Sequence, residues 1–184
     1  IHTLCEQDFP PLARTVHALH PFLETVASQL RWLNLGGGHL VTRHDYERAA
    51  LTELTNELAH TYDVQVFLEL GTAVAFDAGI MVGEVLDVMD NEGPVAVLDV
   101  SATCHMPDIL EAPYRPALRD ECLGGQAVRL GGPSCLAGDV IGTYGFDALP
   151  QAGDRLAFLD QAHYSMVKTT TFNGVPLPAL AIWN

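Results

Sequence analysis

The sequence is short of positive charge, of lysine above all, and of cysteine, and it has no long apolar run. Nine Lys and Arg stand against 23 Asp and Glu, a formal net charge of −14 with histidine neutral. That balance argues against nucleic acid or an anionic membrane surface as a partner, because both need Lys/Arg-rich faces. It suits cationic ligands, and an acidic surface is also an ordinary route to solubility. No apolar stretch approaches the roughly 18 residues of a membrane span, and no basic-then-apolar leader opens the sequence. The four cysteines (Cys5, Cys104, Cys122 and Cys135) show no CxxC spacing. A reducing, cytoplasmic setting is therefore expected, and a disulfide framework is not. The first residue is Ile1, not Met, and the sequence contains one lysine, Lys168.

What is present divides into two grammars. With 48% hydrophobic residues among 184 the chain can bury a core, and this length suits about one ordinary domain. Leu12, Val16, Leu19, Phe22, Leu23, Val26 and Leu30 recur near the helical period, which predicts an amphipathic helix over 11–30. Trp32–Leu35 reads as a strand entering Gly36-Gly37-Gly38. A second helix is predicted over His44–His60, with Asp45 near its start, and a strand over Val64–Leu68 ends at Glu69. Alternation of this kind belongs to a parallel α/β sheet or barrel. After Gly71 short strand-like runs follow: Ala73–Met89, Val95–Val100, Gln126–Leu130, Asp139–Gly142, Arg155–Leu159 and Leu180–Trp183. Turns such as Glu92-Gly93-Pro94 and Gly131-Gly132-Pro133 separate them, so residues 73–184 are expected to form an all-β domain. A closed (β/α)8 barrel takes about 250 residues. Residues 1–72 therefore read as its last units, and the chain as the C-terminal part of something longer.

Several groups could carry chemistry. The glycine triplet could close backbone N–H groups around a phosphate, helped by a following helix N-terminus, or could be a tight turn. Glu69 ends a strand where parallel barrels place catalytic side chains; the alternative is a salt-bridged or solvated strand end. Cys135, on a glycine-flanked turn, could serve as acid, base or nucleophile, or be an inert small hydrophobe. Tyr164 could hydrogen-bond a phosphate or carboxylate, or be a buried tyrosine with a satisfied hydroxyl. Cys104-His105 with His163 lacks paired ligand spacing, and no metal site is expected.

Taken in order, His2-Thr3-Leu4-Cys5, Gly36-Gly37-Gly38, Glu69-Leu70-Gly71, Gly132-Pro133-Ser134-Cys135 and Asp160–Tyr164 resemble the fold type III (alanine-racemase-like) pyridoxal-phosphate decarboxylases. Asn34–His39, Asp99–Tyr114, Cys135–Asp139 and His163–Gly174 are most similar to the carboxynorspermidine decarboxylase branch. The resemblance implies the last strands and helices of a cofactor-binding (β/α)8 barrel followed by a C-terminal β-barrel or sandwich domain. It implies pyridoxal 5′-phosphate as cofactor. It also implies a homodimer with shared active sites, and decarboxylation of carboxynorspermidine or carboxyspermidine to norspermidine or spermidine. By the same resemblance His2 stacks on the pyridine ring, Gly36, Gly37 and Gly38 cradle the phosphate, and Glu69 keeps the ring nitrogen protonated. Cys135 crosses to the partner subunit near the carbon to be reprotonated, and Tyr164 lies close to the phosphate.

The departures are equally specific. The family's E-P-G-R is Glu69-Leu70-Gly71-Thr72, so its phosphate-binding arginine is absent. Leu136 stands where relatives carry an acidic residue, and Cys5 replaces a serine. The cofactor's Schiff-base lysine lies early in family members. Lys168 falls past the late tyrosine, so it is read as structural or solvent-facing, and the Schiff-base lysine is expected upstream of Ile1. Asp108 and Glu111 match the substrate-facing segment of diaminopimelate decarboxylase. They are candidates for pairing a cationic amine tail, or are surface carboxylates beside Pro107 and Pro113. Other decarboxylases of this fold, acting on diaminopimelate, ornithine or arginine, and a cofactor-free binding module remain the alternatives.

Overall fold

The computed structural model describes residues 1–2 and 6–183. Thr3, Leu4 and Cys5, the rest of the first motif, lie outside the described residues. Two compact units are present, Ile1–Phe76 and Asp77–Asn184.

The first unit opens with α1 (Phe9–Val26), whose entry is set by prolines in its first turn, where no intrahelical N–H is needed. Leu12, Val16 and Leu23 form its buried stripe, and the chain tightens into a 3₁₀ turn at Ala27–Gln29. β1 (Trp32–Asn34) then pairs in parallel with β2 (Gln65–Phe67), in the register Trp32 with Gln65, Leu33 with Val66 and Asn34 with Phe67. Between them runs α2 (Arg48–Tyr62), burying Leu51, Leu58 and Tyr62 and ending on Asp63 in the left-handed region at φ 50°. Leu12, Val16, Leu33, Leu51, Leu58 and Val64 share one core, each large apolar side chain contributing roughly 1.5–3 kcal/mol of burial.

The second helix starts later than its expected first residue, His44. Arg43 binds both Asp45 and Asp8, and the Arg48 guanidinium bonds the carbonyls of Val41 and Arg43. These side-chain bonds fold residues 41–47 into turns, so Asp45 is an ion-pair partner and not a helix cap.

The second unit is a five-stranded mixed sheet. After a helical turn at α3 (Thr72–Ala75), which closes the first unit, it contains β3 (Met81–Asp90), β4 (Pro94–Leu98), β5 (Gln126–Gly131), β6 (Val140–Phe146) and β7 (Arg155–Phe158). Their order is β6-β5-β4-β3-β7; β4 and β5 are parallel and the other pairs antiparallel. Met81, Val85, Leu98, Val128, Leu130, Ile141, Tyr144 and Phe158 fill the core on one face. The Tyr144 hydroxyl donates to the carbonyl of Pro116 at 2.8 Å.

Three expectations need correction. The run at Ala73–Met89 is a strand only from Met81, because Thr72–Ala75 coils into α3 and Asp77 takes φ 54°, its N–H donating to Asp160. The unit is not all-β: α4 (Ala102–His105), α5 (Asp108–Glu111), α6 (Tyr164–Val167) and a 3₁₀ turn at Phe172–Gly174 interrupt the strands. Leu180–Trp183 is not a strand. Leu180, Ile182 and Trp183 are 80–97% exposed, with no neighbouring strand among the described residues to pair with.

Candidate active site

In the first unit the expected cofactor residues gather at the C-terminal ends of the two parallel strands. Asn34 ends β1, and Glu69 lies two residues beyond β2. The Asn34 carboxamide joins them: its Nδ2 donates to Glu69 Oε1 at 2.8 Å, and its Oδ1 accepts from the Gly36 N–H at 2.7 Å. The Glu69 N–H closes the junction by donating to the Gly36 carbonyl at 2.7 Å. A backbone bond from Gln7 to Gly38, at 3.1 Å, fixes the far end of the triplet.

Glycine is required here by contact as well as by conformation. Gly36 and Gly38 have φ of 80° and 79°, a region that disfavours side chains. A Cβ on Gly36 would strike the carbonyl of Ile1 and the Cα of His2, and one on Gly37 would strike the Glu69 carbonyl oxygen. Gly36 and Gly37 are buried, and the N–H groups of Gly37 and Gly38 have no hydrogen-bond partner among the described residues. An unpaired amide on a buried residue such as Gly37 is costly, so the turn is chemically suited to an anion. The N-terminus of α2 does not assist, contrary to expectation, since that helix begins at Arg48, ten residues after Gly38.

His2 Nδ1 lies 4.0 Å from Glu69 Oε2, with the side chains 53% and 62% exposed. Oε1 is bound to Asn34, which leaves Oε2 on the His2 side. A planar ring between the two would need a side chain to turn, and Glu69 is not packed in place. Next to the triplet, burial holds the His39 imidazole below its ordinary pKa, with a further lowering from His2.

The second unit holds the remaining candidates. Cys135 is an exposed free thiol on the turn after β5. Beneath that turn lies Asp139, which is 4% exposed. Its Oδ1 accepts from the Thr103 N–H at 3.2 Å, its Oδ2 from the Ser134 N–H at 3.1 Å, and the Ser101 hydroxyl sits 2.9 Å from both oxygens. Burial by itself would raise this carboxyl's pKa; the hydrogen bonds from Ser134, Thr103 and Ser101 outweigh it and hold the group below the usual carboxylate range. A Cβ on Gly132 would overlap the same carboxylate. From the other side the Asn173 carboxamide oxygen accepts the Cys135 N–H at 2.8 Å.

Tyr164 opens α6 and is 44% exposed, so it is not the buried tyrosine of the alternative reading. Behind it Gln161 and Ser165 are buried and bonded to each other at 2.6 Å. Lys168 caps the same helix. Its ammonium lies 5.7 Å from the Tyr164 ring and binds both Asp108 and Glu111 on α5. The two carboxylates expected to meet a cationic ligand are therefore paired with the chain's own lysine in this structure. The side-chain pairing with both carboxylates raises the Lys168 pKa. Cys104 and His105 are buried on α4 with other partners. The thiol points to the Phe172 carbonyl, and the imidazole bridges the Ser101 N–H at 3.1 Å and the Pro176 carbonyl at 3.0 Å. Among the described residues no three His, Cys, Asp or Glu side chains are grouped to hold a metal ion.

Three of these residues carry no role in the sequence reading: Asn34, Asp139 and Asn173. All three lie in stretches that carry the family resemblance, Asn34–His39, Cys135–Asp139 and His163–Gly174, and Asn34 also left a local signal as a polar residue ending an apolar strand just before the glycines.

The parallel strand ends, the glycine turn and the mixed sheet define a class, and comparison with known proteins gives its family. Residues 24–162 match the family of pyridoxal-dependent decarboxylases through its C-terminal sheet domain, and the chain belongs to that family. Its fold is the last strands and helices of the cofactor-binding barrel followed by the C-terminal sheet domain. The chain is 45% identical over 187 residues to the carboxyaminopropylagmatine decarboxylase of Synechocystis, covering 97% of this chain and 48% of that protein. It is 38% identical over 195 residues to the carboxynorspermidine/carboxyspermidine decarboxylase of Campylobacter jejuni, covering 98% and 51%. The crystal structure of carboxynorspermidine decarboxylase from Campylobacter jejuni, complexed with norspermidine, superposes with a TM-score of 0.86 at 37% identity, over 96% of this chain and 52% of that one. The lysine/ornithine decarboxylase of Vibrio vulnificus, at 21% identity and a TM-score of 0.76, shares the fold. The chain spans about half the length of the curated relatives it matches. Pyridoxal phosphate is the cofactor of the family, and the glycine turn with its unpaired amides, together with the half-free Glu69 carboxylate, fits that group.

Proposed function

We propose that this chain contributes to a decarboxylase that removes the α-carboxylate from a carboxylated polyamine, of the carboxynorspermidine or carboxyspermidine type. The observation that carries the reading is the Asn34–Gly36–Glu69 junction, which ties the anion-suited turn to a carboxylate at the ends of adjacent parallel strands. The names and the 38–45% identity of the relatives support the substrate class.

When bound, the cofactor's pyridinium ring accepts the electron pair left as CO2 departs. The residues have the following tasks. The amides of Gly37 and Gly38 would bind the phosphate, and by the family resemblance the Tyr164 hydroxyl would donate to it. His2 would lie against the ring face once a side chain has turned to admit it. Glu69, held through Oε1 by Asn34, keeps a proton on the ring nitrogen through Oε2. Cys135 returns a proton from Sγ to the carbon that lost its carboxylate. It acts in the site of a second copy, so the working unit is a homodimer. Asp108 and Glu111 receive the cationic tail, which exchanges with the Lys168 ammonium. Lys168, paired with Asp108 and Glu111 in the second unit, is not assigned the task of carrying the cofactor. We assign the enzyme to the cytoplasm on its four sparse cysteines without CxxC spacing.

A second reading, a substrate ending in the guanidinium of agmatine, is favoured by the 45% identity to the Synechocystis protein. Turnover of the full-length protein on each carboxylated polyamine, with ornithine and diaminopimelate as controls, separates these readings. Norspermidine or spermidine formation that is lost in Glu69→Gln is expected. Turnover of ornithine or diaminopimelate in preference, or a fully active Glu69→Gln, would refute the proposal.

A further inference from the structure

We infer that Asn173 is a positioning residue for Cys135, fixing the backbone from which the thiol is presented. This rests on the reading of Cys135 as the group that returns a proton. Within its own chain the Cys135 thiol is exposed on a turn, so its own subunit directs it through the backbone. The Cys135 N–H is held by Asn173 Oδ1 at 2.8 Å. Its neighbour Ser134 is held by Asp139.

Both attachments lead back to α4. Asp139 accepts from Ser101 and Thr103 at the start of that helix. At its end, Cys104 accepts the Thr170 N–H at 2.9 Å through its carbonyl and directs its thiol to the Phe172 carbonyl at 3.4 Å. His105 holds the Pro176 carbonyl. Residues 170–176 are thus pinned to a buried helix, and Asn173 reaches from them to Cys135. The result is a closed ring of hydrogen bonds, turn to Asp139 to α4 to the 170–176 segment and back, with Asn173 as its final link.

The residue type follows from two demands made together. Asn173 stands at φ 61°, in the left-handed region that Asn, Asp and Gly tolerate. Among these, Asn and Asp also supply a side-chain acceptor. A displacement of about 1 Å at a reacting group costs on the order of 100-fold in rate, so the expected effect is on turnover and not on substrate affinity.

The test uses the full-length enzyme with three variants. Asn173→Gly keeps the backbone conformation and removes the acceptor; Asn173→Asp keeps both. Expected for Asn173→Gly are about 10-fold faster hydrogen exchange of the Cys135 amide and a kcat lowered about 10-fold with KM within about 2-fold. Asn173→Asp should restore both to within about 3-fold of the parent. Exchange and kcat unchanged in Asn173→Gly, or no restoration by Asn173→Asp, would overturn the inference. Cys135→Ala separates the two claims. If it turns over normally, the proton-return reading fails, and amide exchange with its restoration by Asp alone decides whether Asn173 positions the turn.

Discussion

Asp139→Asn is the substitution that most directly probes how the second unit holds the Cys135 turn. The native carboxylate accepts on both oxygens: Thr103 N–H and Ser101 on one, Ser134 N–H and Ser101 on the other. Ser101 in turn accepts from Cys104 N–H at 3.0 Å, so its single proton is committed to Asp139. An asparagine offers one acceptor and places an NH2 where the other stood, so a donor faces either Thr103 or Ser134. One buried N–H left unpaired costs roughly 1–3 kcal/mol, and the remaining bonds lose charge assistance worth about 1 kcal/mol. The expected loss is about 2–4 kcal/mol at neutral pH, read from urea midpoints and slopes.

The pH dependence supplies the sign. The folded Asp139 carboxyl lies below its ordinary value, so its contribution is complete above the unfolded pKa of about 3.9 and disappears as pH falls through the lower folded value. The gap between parent and variant should therefore be full at pH 7 and narrow as acidity increases below about pH 4. A loss under about 1 kcal/mol at neutral pH, or a gap that widens toward acid, would refute the account of this carboxylate as a buried, fully bonded anion.

Two further outcomes follow from the same structure. Gly37→Ala forces a Cβ against the backbone of Glu69, where no flexible side chain can yield, so the strand-end junction should open. Loss of pyridoxal-phosphate binding in a fluorescence titration is expected, and unchanged affinity would contradict the cradle. Lys168→Met vacates the two carboxylates on α5. The pairs are partly exposed, so stability should change by about 1 kcal/mol or less, while KM for a polycationic substrate should fall; an unchanged or raised KM removes Asp108 and Glu111 from the substrate site.

How much could be read in advance depends on the range of each interaction. The alternation of helix and strand through the first 70 residues was legible because amphipathic periodicity is local. Glu69 and the glycine triplet were legible because strand ends and side-chain-free turns leave short signatures. Where local bonds competed with periodicity, the reading missed: Arg43 and Arg48 fold the segment that was expected to begin α2. The apolar run at Leu180–Trp183 has strand composition but no partner strand among the described residues. Asn34, Asp139 and Asn173 were given no role because their partners Glu69, Ser101 and Cys135 lie 35–38 positions away.

By itself the sequence determined the family order of motifs, the two grammars and the charge that suits a cationic ligand, since these depend on residue identity and near-neighbour spacing. Only the tertiary structure decided that Asn34 ties the glycine turn to Glu69, that Lys168 occupies the carboxylates of α5, and that Asp139 and Asn173 grip the Cys135 turn from opposite sides. Each of those is a bond between distant segments, and a hydrogen bond or ion pair a few ångströms long has no meaning until folding has brought its two ends within reach.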